Sequence, residues 1–555
     1  MNKKVCSFPI LFAVLALLIG TCAVVFPASA QAAPTSTGSI TVSGTVASSY
    51  DAYQIFSANV VDGDSDAKIA TDLAWASDAV RDAALPVLHS AGMPNSQTTA
   101  QEAAEWLNTD SHLTSALSAQ LARSLQSSDA VSVALNAGTA AKLPCGYWLI
   151  VADDDAIAQG EAGTAPIMAL VGGSAVTVKP KAATPKVSKH VMEDSTAAWQ
   201  KAADATVADD LYWRLSATVP AGLTVYDTYT VRFVDTMSAG LDPSKVAASM
   251  RVYVAAGADG GFDAVPAGKD GRVGTDPAKG WTDITAQCAT KVAADGTFTV
   301  RTGDLIAALG GADAFAAGAR VVAVYNAPLN SACNHGIAKG NPNEVYLRYP
   351  RSPFADQSGD AGFTRTPSDD ACAYTWDLAL TKRGSDGDKP LAGAVLSIAD
   401  DRGRTLAADG MWDAEGKATV TTGEDGRVTV SGVDSGKLEV RELKAPKGYT
   451  AFEGTRSVTV KAEGLDVDQV AAAKPKLTIT AESPLRADSA DGSTGNLEAS
   501  LINTPTGTPP SITTGGFMPS TGDMAMYAAA AAAVAGAALI VVALLVKRGG
   551  GSHKE

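Results

Sequence analysis

The sequence predicts a mainly β protein of tandem β-sandwich domains, the first with a helical insertion, followed by a C-terminal transmembrane helix. Three observations predict it. Short alternating segments rich in β-branched and aromatic residues recur between Gly-containing turns from Ser39 to Thr504. Between about residues 98 and 125 the alternation gives way to apolar residues at helical spacing. The run from Met524 to Val546 is continuously apolar and reaches roughly 34 Å as a helix, enough to cross the hydrocarbon core of a bilayer.

At the N-terminus, Lys3 and Lys4 precede an apolar stretch from Ile10 to Val25 and then Ala28-Ser29-Ala30, a small-x-small cleavage site. Residues 1–30 therefore read as a signal peptide and the protein as secreted. What remains between it and the C-terminal tail, about 490 residues, accommodates three or four domains. The net charge of -15 argues against a nucleic-acid partner, whose phosphates need a basic surface.

The mature chain keeps Cys145, Cys288, Cys333 and Cys372, an even number in an oxidising compartment. Their wide spacing lacks the close pairs of a zinc site, leaving disulfides, Cys288 to Cys333 among them, or buried free thiols. His89, His112, His190 and His335 are scattered, and no GxSxG motif stands beside them. No cofactor, metal or hydrolase constellation is expected. Asp62 to Asp66 opens like a calcium loop but continues with Ala67 and Leu73 where that loop needs Gly and Glu, so it reads as an acidic turn.

In order, residues 31–181 form the first domain. Ser39 to Val46 and Gly146 to Val151 read as strands. Thr98-Thr99-Ala100-Gln101 has capping-box spacing before an Ala-rich helix through Leu107, and Leu113, Leu117, Leu121 and Leu125 share one helical face. The domain ends at Val176-Thr177-Val178-Lys179-Pro180-Lys181. Because Pro180 cannot donate to a central ladder, Lys181 is expected at a strand end or edge.

The middle domain, 186–371, carries strands at Leu211 to Val219, Tyr229 to Asp235, Met250 to Val254, Val321 to Tyr325 and Val345 to Tyr349. The third spans 373–504. A Pro/Thr/Gly linker, 505–517, leads to 518–555, which holds Met518-Pro519-Ser520-Thr521-Gly522, the apolar run 524–546 and Lys547-Arg548.

The sharpest chemistry lies in the third domain. Residues of equal parity in a strand share a face. Trp376, Leu378, Leu380 and Lys382 make one stripe; Leu438, Val440 and Glu442 a second; Leu497, Ala499, Leu501 and Asn503 a third. Each apolar stripe ends in one polar residue where a core is expected. Unpartnered, such groups would be expensive to bury, so the trio reads either as a hydrogen-bonded cluster or as a bond-forming site. Desolvation favours a neutral Lys382 amine and a protonated Glu442, which can polarise the Asn503 amide for attack, releasing ammonia and leaving an isopeptide. In the middle domain the same parity test places Lys189, Asp235 and Asn343 on inward faces.

Met518 to Gly522, with the apolar run and basic tail behind it, resembles the LPXTG sorting signal of Gram-positive surface proteins. Val178, Pro180 and Lys181 resemble the pilin motif of sortase-assembled backbone pilins. Thr218-Val219-Pro220, followed by Phe233 to Leu241, resembles the second domain of fimbrial major subunits. Leu380-Thr381-Lys382, the stretch Glu442 to Tyr449 and Leu501 to Pro505 resemble the first strand, E-box and last strand of prealbumin-like domains.

The resemblance implies tandem Ig-like and prealbumin-like sandwiches in a pilus shaft subunit that is not itself an enzyme. A pilus-type sortase would cut between Thr521 and Gly522 and join Thr521 to Lys181 of the next identical subunit, giving a head-to-tail polymer. Minor pilins, peptidoglycan attached by a housekeeping sortase, and host surface ligands are the other implied partners, on a wall-anchored surface pilus with a transient membrane hold. Where relatives carry Tyr-Ser-Asn-Asn-Pro, this chain has Tyr349-Pro350-Arg351-Ser352-Pro353, so Arg351 replaces the expected acceptor. Either Asn343 takes that role or, the reading favoured here, Asp235 only pairs with cations. The alternatives to a shaft subunit are a wall-anchored adhesin or minor pilin not joined through Lys181, and a membrane-tethered secreted enzyme.

Overall fold

The computed structural model describes residues 36–507 apart from 65–66, 110, 164, 181–183, 224 and 269–271. Residues 1–30, expected to be a signal peptide, Lys181, the pentapeptide Met518 to Gly522 and the apolar run 524–546 lie outside the described residues. Among the described residues no helix is long and apolar enough to cross a membrane. Strands dominate, as the alternation predicts, and fall into several sheets.

In the first region, strand Ser49–Asp62 lies between Lys68–Trp75 and Gly146–Ala152, with Ile167–Val171 beyond. A smaller sheet pairs Thr37–Val42 in parallel with Val176–Val178, so the opening and closing strands lie side by side. The insertion forms three helices, Asp78–Ser90, Ala100–Asn108 and Ser115–Gln126. Val80, Leu88, Leu121 and Leu125 pack with Phe56 and Leu149 of the sheet in one core.

Two local expectations shift. The capping box is Thr99 with Glu102: Thr99 Oγ1 accepts from Glu102 N at 3.2 Å, and Glu102 Oε2 accepts from the amides of Thr98 and Thr99 at 3.0 Å. A carboxylate is a stronger acceptor than the Gln101 amide, which moves the box one residue along. Leu113 is exposed because the third helix starts after its N-cap Thr114, and only Leu117, Leu121 and Leu125 form the buried stripe.

The middle region is two sheets over a large core that contains Trp213, Phe233, Phe298 and Tyr325. One orders Ala198–Gln200, Lys186–Glu193, Tyr212–Val219, Ala319–Asn326, Arg251–Ala256 and Thr282–Asp283; the other centres on Asn341–Pro350 and Arg232–Met237. The passage to the third region is a shared strand, Asp369–Tyr374. Its Ala371 and Ala373 face the middle core, while Cys372 and Tyr374 face the next.

In the third region the first strand, Trp376–Gly384, pairs in parallel with the last, Asn496–Pro505. The opposing sheet is built on Gly436–Lys444 between Val395–Ala399 and Thr455–Glu463. The predicted alternation holds along it, with Leu438, Val440 and Glu442 buried and Lys437, Glu439 and Arg441 exposed.

All four cysteines among the described residues are free, which corrects the disulfide reading, Cys288 to Cys333 included. They are dispersed and separately engaged. Cys145 packs with Ala58, Val60 and Leu170, and Cys372 lies in the third core. Cys288 Sγ donates to Ile284 O at 3.3 Å, whereas Cys333 Sγ faces His335.

Leu121→Ala removes a buried side chain that joins the helices to the sheet. It is expected to cost about 2–5 kcal/mol, read as an earlier denaturant transition.

Candidate functional site

Parallel pairing sets the third-domain site. Lys382 lies opposite Leu501 and Gly384 opposite Asn503, so Lys382 and Asn503 stand one step apart diagonally on the inward face. The backbone of Lys382 is pinned, its N–H donating to Gly426 O at 2.7 Å and its carbonyl accepting from Leu391 N at 2.8 Å. Glu442 reaches across from the opposing sheet. All three side chains are buried.

The Lys382 amine donates to Asn503 Oδ1 and lies 3.0 Å from Glu442 Oε1. Asn503 Nδ2 donates to both Glu442 oxygens, at 2.9 and 3.1 Å, and Phe452 N donates to Glu442 Oε2 at 3.1 Å. Burial lowers the Lys382 amine to about 8, against the opposing pull of Glu442. A larger fraction is then neutral, and nucleophilic, near neutral pH than for an exposed lysine. Glu442 contacts the amide nitrogen, so it stands where a leaving ammonia would collect a proton. Phe452 escaped sequence reading because its contribution is a backbone N–H, which leaves no pattern.

The middle region holds a second buried cluster. Lys189 comes from one sheet; Asp235 and Asn343 come from the other, where Asp235 lies opposite Val345 and Asn343 opposite Met237. The Lys189 amine donates to Asp235 Oδ2 and, at 3.0 Å, to the Tyr325 hydroxyl. That hydroxyl accepts from Asn343 Nδ2 at 2.8 Å and donates to Asp235 Oδ2 at 3.1 Å. Asp235 Oδ1 and Asn343 Oδ1 are buried with no hydrogen-bond partner among the described residues.

Burial lowers the Lys189 amine to about 8 despite Asp235, and burial also raises Asp235 despite Lys189. Both shifts favour neutral forms. Tyr325 was not anticipated, although Val321, Ala323 and Tyr325 form a stripe ending in a polar group, the signal that exposed Lys382. Arg351 lies past the strand end and donates to Asp154 O at 3.2 Å in the first region.

Residues 377–474 match the family described as the SpaA prealbumin-like fold domain. This part of the chain is a prealbumin-like domain. Lys382 and Glu442 fall within the match, and Asn503 lies beyond it. A curated relative, the trypsin-resistant surface T6 protein of Streptococcus pyogenes serotype M6, is 30% identical over 143 residues, 24% of each chain. The match thus spans about a quarter of that relative's length.

Similar solved structures include the T6 backbone pilin of the same serotype, at 17% identity and a TM-score of 0.45, covering 86% of this chain and 100% of that one. The full-length major pilin SpaD from Corynebacterium diphtheriae is similar at 14% identity and a TM-score of 0.41, with the same coverages.

A free Lys382 amine in the prealbumin-like domain makes stability pH-dependent. With its folded value near 8 and an unfolded value near 10.5, the unfolded chain binds more protons between them, so stability rises with pH across that window. Asn503→Ala, which keeps the amine, should show this rise in denaturant titrations relative to an Asn503→Ala/Lys382→Met variant; parallel curves would contradict it.

Proposed function

We propose that this chain is the shaft subunit of a covalent surface pilus, joined by a sortase from Thr521 to Lys181 of the next copy and closed internally by a Lys382–Asn503 isopeptide. The observation that carries it is the buried contact of Lys382, Glu442 and Asn503 between the first and last strands of the prealbumin-like domain. The neutral amine attacks the Asn503 side-chain carbonyl carbon. The C–N bond to Nδ2 then breaks, and Glu442 relays the surplus amine proton to the nitrogen it already contacts, so ammonia leaves. Atoms and charge balance without a cofactor.

The strand directions give that bond its use. Tension arriving at Trp376 would run along the first strand to Lys382, cross to Asn503 and leave at Pro505, bypassing the chain between two residues 121 positions apart. The sorting pentapeptide, the apolar run behind it, and Lys181 three residues after the closing strand Val176–Val178 support polymerisation. The name of the T6 relative, a surface protein, agrees with the location. In this reading the chain is the substrate of its assembling enzyme, and minor pilins and peptidoglycan are its further covalent partners.

The middle cluster favours a second bond, from Lys189 to Asn343. Tyr325 bridges the amine and the amide, and the unpartnered Asn343 oxygen is one a mere ion pair would not require.

Intact mass of the secreted domains should fall short of the sequence by one ammonia for each bond. Glu442→Ala should restore the third-domain ammonia and lower stability by on the order of 4–5 kcal/mol, if the bond acts like a disulfide closing a loop of that size. An unmodified wild-type mass would contradict the internal bonds. In cells, Lys181→Ala should abolish high-mass ladders; persistent ladders would favour another linking residue, and a purely monomeric wild-type protein a wall-anchored adhesin.

A further inference from the structure

The loop between strands Ala319–Asn326 and Asn341–Pro350 leaves the middle domain and seats on the prealbumin-like domain. Gly336 N donates to Thr375 O at 3.0 Å and Ile337 N to Gly492 O at 3.3 Å. Gly336 has φ +75° and packs so closely that an added Cβ would lie 2.5 Å from Thr494 backbone. This seat brings His335 to Asp377 of the first prealbumin-like strand, Nδ1 to Oδ1 at 2.7 Å, and Asp377 Oδ1 also accepts from Gly432 N at 3.1 Å. The other ring nitrogen, Nε2, lies 3.5 Å from Cys333 Sγ.

A thiol, an imidazole and a carboxylate are thus in line across a domain junction. Sulfur and carboxylate occupy opposite edges of the ring, so the three cannot converge on one metal ion. The order is instead that of a nucleophile, its base and the group orienting the base.

We propose that Cys333, with His335 as its proton acceptor and Asp377 as the positioning residue, is a nucleophilic thiol that forms mixed disulfides with small disulfides. His335 takes the Sγ proton, and the sulfur attacks one sulfur of RSSR. The S–S bond breaks, RS⁻ leaves, and it collects the proton from the imidazolium as RSH. The products are the Cys333–S–S–R adduct and one RSH, the oxidising equivalents coming from the small disulfide.

Two features accord with this assignment. The hydrogen bond to Asp377 first, and that to Cys333 second, raise the His335 imidazolium to about 10, which favours transfer of the Sγ proton to the ring. Burial pushes the Cys288 and Cys372 thiols up to about 11. Exposure alone would rank them differently, since Cys288 is more exposed than Cys333, which retains 8%.

The test uses native full-length protein with cystine as the probe, mapping adducts by peptide mass. Cys333 should be modified at least about tenfold faster than Cys288 despite its lower exposure, and Cys145 and Cys372 only after denaturation. His335→Gln should slow Cys333 by about tenfold or more and leave Cys288 unchanged. Asp377→Asn should weaken the ultraviolet thiolate band that Cys333→Ser abolishes. Should a variant fail to fold, the wild-type rate ratio and the band still decide. Modification of Cys333 no faster than Cys288, or an undiminished rate in His335→Gln, would overturn the proposal.

Discussion

The prealbumin-like domain depends on a lysine amine placed where water cannot reach it. An unpaired ammonium there would cost several kcal/mol even after local relaxation. Lys382 escapes that cost through Glu442 and Asn503, each of which also engages the other. The ion pair is a provisional solution, because its carboxylate and ammonium are both desolvated. In the proposed reaction an amine and a primary amide become one secondary amide, and the lysine no longer carries a proton to bury. The same pressure acts on Lys189, where burial pushes amine and carboxyl together toward neutrality.

These clusters are set where the chain enters and leaves its sandwiches. Lys189 is on the first strand of the middle region, and Asn343 lies opposite Ala371 of the strand that carries the chain onward. Lys382 follows on the next strand. The domains are also held to each other by polar contacts: Asp204 Oδ2 accepts from Trp376 Nε1 and from Ser435 at 2.7 Å, and Arg404 pairs with Asp209. With the proposed bonds formed, such a chain would pass load through its domains without unravelling them.

Much of this was legible because strand alternation is a strict two-residue period. A lone Lys, Glu or Asn at the end of an apolar stripe stands out, so Lys382, Glu442 and Asn503 could be placed together without coordinates for any of them. Tyr325 was overlooked because an aromatic ring completes an apolar stripe, and only its hydroxyl matters. The helix start was off by one because Gln101 and Glu102 both suit a capping box, and local hydrogen-bond strength decides between them. The shared strand Asp369–Tyr374 hid the domain passage, since its two faces serve different cores. Cys333 and His335 are close in sequence, but Asp377 joins them only through domain docking, which no spacing rule encodes.

The central claim is a covalent path through the prealbumin-like domain, and single-molecule stretching tests it most directly. With the Lys382–Asn503 bond in place, pulling the domain from its two ends should release only the few residues outside the bond, a few tens of Å at about 3.4 Å per residue. A release step of about 400 Å, the extended length of the 121-position separation from Lys382 to Asn503, would contradict the account.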